Sequence, residues 1–185
     1  NSAHELRTPL ATALAKLQRL KTETDDARVK TRAGEIEESL RSLSRLSEKL
    51  LELAKAEGGS ALSETYNDLV PILQMIANDY ERTAPGRLKL ELPDDSVTSL
   101  LDPDAFAILV RNLLENALRH GATDRPINIS LTGDGTLRVA NEGEVVPPEK
   151  LALLRNRFVR SDTTTVGSGI GLAIVDAIAD GAGIT

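Results

Sequence analysis

A heptad repeat of apolar residues in the first third of the chain constrains the fold more than any other feature of the sequence. Residues 1 to 56 hold no glycine except Gly34 and no proline except Pro9, and their composition favours helix. The repeat comprises Ile36, Leu40, Leu43, Leu50 and Ala54, with Leu46, Leu51 and Leu53 beside it and the polar Ser47 within it. This spacing predicts one long helix with a wide apolar side.

A second run of leucines precedes this helix. Leu6, Leu10, Leu14, Leu17 and Leu20 recur at helical spacing, and the polar residues 22 to 26 predict a turn between the two runs. The two helices should therefore form an antiparallel hairpin. Because one hairpin cannot bury such wide stripes alone, we expect two copies to associate into a four-helix bundle, and hence a homodimer. The alternative is that the hairpin packs on the rest of its own chain.

The pattern of the sequence changes after the hairpin. Residues 57 to 64, EGGSALSE, break the helical periodicity and predict a flexible linker. Residues 65 to 185 then mix helical and strand-like segments. The fold class is therefore α+β, with a helical hairpin domain at 1 to 56 and an α/β sandwich at 65 to 185.

The sandwich is expected to place its helices on one face of a mixed sheet. Strands are predicted at RLKLEL, VTSLL, INISLT and LRVAN, the last two joined by a turn around Asp134. Helices are predicted at about 68 to 83, at about 103 to 118, after Pro148 and from about Gly169.

The composition narrows the kinds of partner and chemistry. A net charge of −6, with two Phe, two Tyr and no Trp, argues against a nucleic-acid partner. The absence of cysteine excludes disulfides, thiolate zinc ligands and thiol catalysis. The apolar runs are far shorter than the roughly 18 residues that indicate a membrane span. The sequence therefore predicts a folded protein with an aliphatic core.

The stretch AHELRTPL at residues 3 to 10 contains one of only two histidines. On a helix, His4 and Thr8 share a face and Glu5 flanks the histidine, while Pro9 removes one backbone hydrogen bond and allows a bend. A neutral imidazole is a suitable nucleophile when a carboxylate holds the proton of its second nitrogen. The alternative for an isolated His-Glu pair is a solvated histidine on a helix surface.

Two later segments carry polar and glycine residues suited to phosphate. In NLLENALRHG, Asn112 and Asn116 lie one helical turn apart, with Arg119 and His120 at the end of the helix. Amide oxygens can bind Mg²⁺ and an arginine can bind phosphate, although helical asparagines often only face water. The stretch GSGIGLAIV begins the last helix, where backbone N–H groups can approach a polyphosphate. A lone glycine-rich turn is equally often a packing device.

Taken together and in this order, the segments closely resemble the catalytic core of bacterial two-component sensor histidine kinases. HELRTPL is similar to the H box of that family, NLLENALRHG to its N box and NEGEVVPPE to its first glycine box. LLRNRFVRSD is similar to the F box and GSGIGLAIV to the second glycine box. The resemblance implies a HisKA-type dimerisation and phosphoacceptor domain, followed by a Bergerat-type ATP-binding domain.

The resemblance also implies a role for each matched residue. His4 is the expected phosphoacceptor, Glu5 the acid/base that assists it, and Thr8 the residue that orients a water for dephosphorylation. Asn116 is the expected Mg²⁺ ligand. The other expected nucleotide-binding residues are Asn112, Arg119, His120, Asn141, Gly143, Val146, Arg160, Gly167, Gly169, Gly171 and Leu172.

The implied function is that of a protein-histidine kinase. It would use ATP and Mg²⁺ to phosphorylate His4, pass the phosphoryl group to an aspartate of a response regulator receiver domain, and hydrolyse that aspartyl phosphate. The resemblance further implies that the segment is the cytoplasmic portion of a bacterial receptor anchored in the inner membrane. Any membrane contact would be made through segments upstream of this sequence.

Four departures from the family pattern qualify this expectation. Asn141 replaces the usual Asp that takes the adenine amino group, and Val145 replaces a second glycine. Arg155 replaces an aromatic residue of the F box, and the closing strands that the family adds are missing, so an incomplete sheet is expected. Asn141 keeps an acceptor oxygen but is neutral. The alternative function is a dimeric scaffold or a phosphatase-only regulator with weakened nucleotide binding.

Overall fold

The computed structural model describes residues 2–59, 61–143, 145–147 and 169–184, and their side chains from residue 8 onward. The helix expected after Pro148 and the F-box-like stretch lie outside the described residues, as do Arg160 and Gly167. The chain divides into two compact units, Asn1–Glu52 and Leu53–Thr185.

The first unit is the predicted helical hairpin. Helix α1 runs over Ser2–Glu23 and continues through Pro9, and helix α2 runs over Ala27–Gly58. The turn between them is closed by Asp26, whose carboxylate accepts a hydrogen bond from the backbone N–H of Arg28 at 2.7 Å. The chain therefore reverses at the polar residues where the turn was predicted.

A charged cluster ties the two helices together near this turn. The Nζ of Lys21 on α1 lies 2.8 Å from Oε2 of Glu37 on α2, and the guanidinium of Arg41 lies 2.8 Å from Oε1 of the same carboxylate. Glu37 thus accepts hydrogen bonds from both helices. The contact from Lys21 links α1 to α2, whereas the contact from Arg41 lies within α2.

The hairpin has little apolar core of its own. Among its described side chains, from residue 8 to residue 52, Ala33 is the only buried apolar one. Ile36, Leu43 and Leu50 recur every seven residues along α2, yet they remain 50%, 52% and 41% exposed. One chain alone therefore leaves the apolar stripe of α2 in contact with water.

The second unit contains five strands and three helices among its described residues. The strands are β1 Leu62–Asp68, β2 Leu88–Glu91, β3 Thr98–Leu101, β4 Ile127–Leu131 and β5 Leu137–Asn141. The helices are α3 Leu69–Thr83, α4 Pro103–His120 and α5 Gly171–Ala182.

The strands form the predicted mixed sheet and a separate antiparallel pair. In the larger sheet, β4 lies in the middle, parallel to β2 and antiparallel to β5. Strand β4 buries Ile127 and Ile129 while Asn128 between them is exposed, so one face of the sheet forms the core. Fully buried side chains of the helices complete that core: Leu73, Ile76, Val110, Leu114, Ile174 and Ile178.

The predicted linker differs from the structure. Helix α2 continues to Gly58, and strand β1 begins at Leu62, inside the stretch that we expected to be flexible. Strand β1 is antiparallel to β3, with Leu62 opposite Leu101, and the carbonyl of Ala61 accepts a hydrogen bond from the N–H of Asp102 at 2.9 Å. The strand was missed because its sequence, LSETYND, is polar and mostly exposed.

We expect Glu37→Gln to destabilise the hairpin at neutral pH but not in acid. Hydrogen bonds from Lys21 and then Arg41 lower the pKa of Glu37 from 4.5 to about 2. A carboxyl with a lowered pKa stabilises the folded state above its unfolded pKa and loses that contribution as the pH falls through its folded pKa.

The melting temperatures of the wild-type chain and the variant should therefore converge as the pH falls from about 5 to about 2. Circular dichroism of the helical signal measures both. Identical melting temperatures at pH 7 would show that the cluster contributes nothing.

Candidate functional site

Helix α4 carries the paired asparagines, and its orientation is fixed at both ends. The carboxylate of Asp102 caps the helix by accepting hydrogen bonds from the N–H groups of Asp104 and Ala105, at 2.9 and 3.0 Å. Pro103 occupies the first turn, and the N–H of Gly121 closes the last turn on the carbonyl of Ala117. The apolar side of α4 is buried, so the positions of its polar residues follow from the helical period.

The two asparagines of α4 lie in different environments. Asn112 is only 2% exposed, and its Nδ2 donates a hydrogen bond to the carbonyl of Ile108 at 2.8 Å. Its Oδ1 faces the start of α5, since a Cβ added to Gly171 would lie 3.3 Å from it. Asn116, one turn later, is half-buried. Asn112 does not simply face water, and Asn116 is the more accessible of the two amides.

The end of α4 packs against the end of β5. A Cβ added to Gly121 would lie 3.2 Å from the Cβ of Asn141, and one added to Gly143 would lie 2.7 Å from the carbonyl oxygen of His120. The N–H of Ala122 donates a 2.7 Å hydrogen bond to the carbonyl of Glu142. The structure thus brings the end of α4, with Arg119 and His120, close to Asn141 and Gly143 at the end of β5.

Asn141 ends strand β5 with an exposed side chain. Its Nδ2 lies 3.5 Å from the carbonyl of Glu142, near the limit of a hydrogen bond. Its amide also lies against Gly121 and Gly143, neither of which has a side chain to displace it. The side chain offers a neutral acceptor oxygen at the surface of this strand end.

The positive charge at the end of α4 comes from Arg119. Partial burial, together with the neighbouring charge of Arg119, holds the pKa of His120 below its usual value of 6.5. The lowered pKa favours the neutral form of the imidazole, and the guanidinium of Arg119 beside it is exposed. His120 can donate or accept a hydrogen bond there without adding charge.

Helix α5 begins with the glycines of the last motif. Gly169 has φ +67°, in the left-handed region that favours glycine, and Ile170 after it is fully buried. The N-cap residue Ile170 makes no side-chain capping hydrogen bond. The N–H groups of a first helical turn are groups that anions favour. Gly171 and Leu172 begin the helix half-buried, and Val146 of the preceding glycine box is 38% exposed.

The residues expected to carry the phosphate chemistry lie in the hairpin. His4 and Glu5 belong to α1, and Thr8 is exposed one turn after His4. An open apolar depression of about 290 Å³ lies in the same unit, lined by Pro9, Leu10, Leu43 and Ser47. It joins the exposed stripe of α2 to the part of α1 that follows His4.

Two residues at the contact between the end of α4 and the end of β5, Gly121 and Ala122, were not predicted from the sequence. Gly121 could have been found, because a glycine directly after a helical pattern is a common helix end. Ala122 left no signal, since it acts only through its backbone N–H and carbonyl groups. Both lie in the turn that connects α4 to β4.

Neither a clustered metal centre nor a membrane helix is present among the described residues. No group of three or more acidic or histidine side chains there is arranged to hold a metal ion. No described helix is long and apolar enough to cross a membrane.

Comparison with known proteins identifies both units. Residues 1–59 match the His Kinase A (phospho-acceptor) domain, and residues 101–185 match the histidine kinase-, DNA gyrase B- and HSP90-like ATPase family. The chain is 31% identical to the sensor protein QseC of Escherichia coli K12, over 97% of its own length and 41% of that protein. It is 34% identical to the signal transduction histidine-protein kinase BaeS of the same organism, over 93% of its own length and 39% of that protein.

The fold is also found in solved structures. A structure of full-length ShkA in complex with AMPPNP superposes with a TM-score of 0.70 at 22% identity, covering 98% of this chain and 40% of that one. This likeness confirms the architecture alone. The chain spans about two fifths of the length of the curated relatives it matches.

We expect Gly143→Ala to destabilise the second unit by about 1–3 kcal/mol, because the new methyl group would meet the backbone oxygen of His120. That oxygen belongs to a helix end and cannot rotate away as a side chain would. Urea unfolding of the two proteins measures the difference. Gly133→Ala is the matched control, because a Cβ at Gly133 meets nothing within 4 Å.

The control should leave the free energy of unfolding within about 1 kcal/mol of wild type, or raise it slightly through the unfolded state. Equal stabilities of the two variants would mean that the α4 end and the β5 end are not in close contact.

Proposed function

The chain belongs to the two-component sensor histidine kinases, and from this premise we propose that it is the catalytic core of such a kinase. It phosphorylates His4 with Mg-ATP and then passes the phosphoryl group to an aspartate of a response regulator. The observation that carries the proposal is that a phospho-acceptor match containing His4 precedes an ATPase match containing Asn116 and Gly171.

In the first step, a lone pair on an imidazole nitrogen of His4 forms a bond to the γ-phosphorus. The bond from that phosphorus to the oxygen bridging the β- and γ-phosphates breaks, and ADP leaves with its electron pair. Glu5 is proposed to hold the proton of the other ring nitrogen, so that the attacking nitrogen keeps its lone pair. The reaction needs mainly alignment and charge neutralisation.

The residues at the end of α4 and the start of α5 fit a polyphosphate. Asn116 offers a half-exposed amide oxygen, and Arg119 offers a charged guanidinium at the same helix end. The N–H groups of the first turn of α5 face anions favourably. When bound, Mg²⁺ would neutralise phosphate charge, with Asn116 as the proposed protein ligand. Asn112 supports this arrangement from the buried side of α4.

The base of the nucleotide is proposed to lie at the end of β5. Asn141 can accept a hydrogen bond from an amino group, and Gly121 and Gly143 leave its amide in place. A neutral acceptor binds an amino group more weakly than a carboxylate does, since hydrogen bonds to charged groups are stronger. We therefore propose ATP binding that is weaker than an aspartate at this position would give.

The exposed stripe of the hairpin supports association of two copies. Ile36, Leu43 and Leu50 follow the heptad period and are each more than 40% exposed in a single chain. Packing two hairpins would bury this stripe and close the depression beside Pro9. We propose that the resulting four-helix bundle is also the surface on which the response regulator docks.

We propose a second activity, dephosphorylation of the phosphorylated regulator, on the basis of Thr8. Its position, exposed on α1 one turn after His4, is suited to hold a water beside an aspartyl phosphate docked there. Its hydroxyl has no part in the attack of His4 on ATP. The two activities should therefore separate at this residue.

The whole protein is proposed to be a membrane-anchored receptor, of which this chain is the cytoplasmic portion. The proposal is supported by relatives that carry the name sensor protein and extend well beyond the matched region. The second candidate function, a scaffold or phosphatase-only regulator, is favoured by Asn141 and Val145 in the first glycine box. The experiment on His4 decides between the two functions.

We expect His4→Ala to abolish incorporation of phosphate from γ-labelled ATP while leaving ATP affinity unchanged. The acceptor and the nucleotide site belong to separate units, so the substitution should not reach the ATP-binding residues. Labelling of the chain and calorimetry with Mg-ATP measure the two properties. Acid-labile phosphate on the variant would overturn the assignment of His4, and a wild-type chain that never becomes labelled would favour the scaffold.

We expect Thr8→Ala to slow dephosphorylation of the regulator about 10-fold or more, because a water would lose its position. The rate of His4 labelling should stay within about threefold of wild type. Thr12→Ala is the matched control, since Thr12 is equally exposed one turn further on and its hydroxyl donates to the carbonyl of Thr8.

Decay of a purified phospho-regulator with each variant measures the first rate. If both rates fell together in Thr8→Ala, Thr8 would be a structural residue of α1, and the phosphatase activity should be withdrawn.

A further inference from the structure

Arg87 lies outside every motif in the sequence, yet it makes two long-range hydrogen bonds. Its Nε donates to the carbonyl of Arg125 at 3.2 Å, and its terminal nitrogen donates to the carbonyl of Ala122 at 3.0 Å. Both acceptors belong to the turn between α4 and β4. A guanidinium holds its donors in a rigid fork, so it fixes the two carbonyls relative to each other.

The topology of the larger sheet explains why Arg87 reaches this turn. Strands β2 and β4 are parallel, so Arg87 before β2 and the turn before β4 lie at the same end of the sheet. Strand β5 is antiparallel to β4, so its last residue, Asn141, lies at that end of the sheet too, opposite Ile127. Across this end of the sheet, in the strand order β2, β4, β5, lie Arg87, then the turn, then the proposed base site.

The far side of the turn contacts the proposed base site directly. The N–H of Ala122 donates to the carbonyl of Glu142 at 2.7 Å, and Gly121 lies against the side chain of Asn141. Arg125 and Glu142 also form an ion pair at 3.5 Å, but both side chains are exposed, so this pair contributes little. The turn is therefore held by Arg87 on one side and holds residues 141–143 on the other.

We propose that Arg87 is a positioning residue for nucleotide binding, which acts through the turn at 121–125 on Asn141 and Gly143. The proposal rests on the function proposed above for those two residues. Without Arg87, the carbonyls of Ala122 and Arg125 lose their shared partner and the turn can move. Because the N–H of Ala122 is hydrogen-bonded to the carbonyl of Glu142 at 2.7 Å, a movement of the turn would also displace Asn141 and Gly143 on either side of Glu142.

The experiment compares three variants of the whole chain. Arg87→Met keeps the aliphatic stem but removes both hydrogen bonds, and Arg87→Lys keeps the charge and can donate to one carbonyl. Arg82→Met is the matched control, because Arg82 is an exposed cation of α3 whose ion pair with Asp79 spans 3.9 Å. Calorimetry gives the dissociation constant of Mg-ATP, and labelling of His4 gives kcat and KM.

We expect Arg87→Met to raise the dissociation constant and KM about 10-fold while kcat at saturating ATP stays within about twofold. Arg87→Lys should recover part of the affinity, and Arg82→Met should match wild type. Hydrogen exchange of the amide of Ala122 should be faster in Arg87→Met than in wild type, which reports the loosened turn directly.

A merely structural role predicts a different pattern. Arg87→Met would then lower the melting temperature and the active fraction, and so kcat, with the affinity of the folded molecules unchanged; that result overturns the proposal. If Arg87→Met does not fold, the affinity of Arg87→Lys decides, and a wild-type value contradicts the proposal. Failure of the wild-type chain to bind ATP would instead refute the proposed function.

Discussion

The contact between the end of α4 and the end of β5 is the constraint on which the rest of the second unit depends. It is made by backbone groups: a 2.7 Å hydrogen bond from Ala122 to Glu142, and the close approach of two glycines, Gly121 and Gly143. Helix α4 carries Asn112 and Asn116 and strand β5 ends at Asn141, so the separation between these amides is set by this contact. Side chains at either glycine would force the helix away from the sheet.

Elements with a strong period were predictable from the sequence, and elements without one were not. The hairpin was predicted because its apolar residues repeat at helical spacing, and Pro103 marked the start of α4. Strand β1 was missed because it has no alternating apolar residues and depends on pairing with β3. The expected face shared by Asn112 and Asn116 was correct in spacing, but spacing does not tell which of them is buried.

The residues of the candidate site also differ in how far the sequence could predict them. Motif order predicted the residues expected to act through their side chains, and the family comparisons confirm the class of protein to which those motifs belong. Residues that act through the backbone, such as Ala122, leave no trace in side-chain type. The role of Arg87 could not be predicted from the sequence for a related reason. Its partners are backbone carbonyl groups 35 and 38 positions away, and any residue could supply them.

The uncovered stripe of the hairpin couples folding to the amount of protein present. If burial of Ile36, Leu43 and Leu50 requires a second copy, the stability of the hairpin follows mass action and falls on dilution, whereas the described core residues of the second unit are buried within one chain. The stability of the first unit would then depend on protein concentration, and that of the second unit would not. A dilute sample would then keep the second unit folded while losing the helical hairpin that contains His4, so the concentration of the protein would decide how much of its first unit is folded.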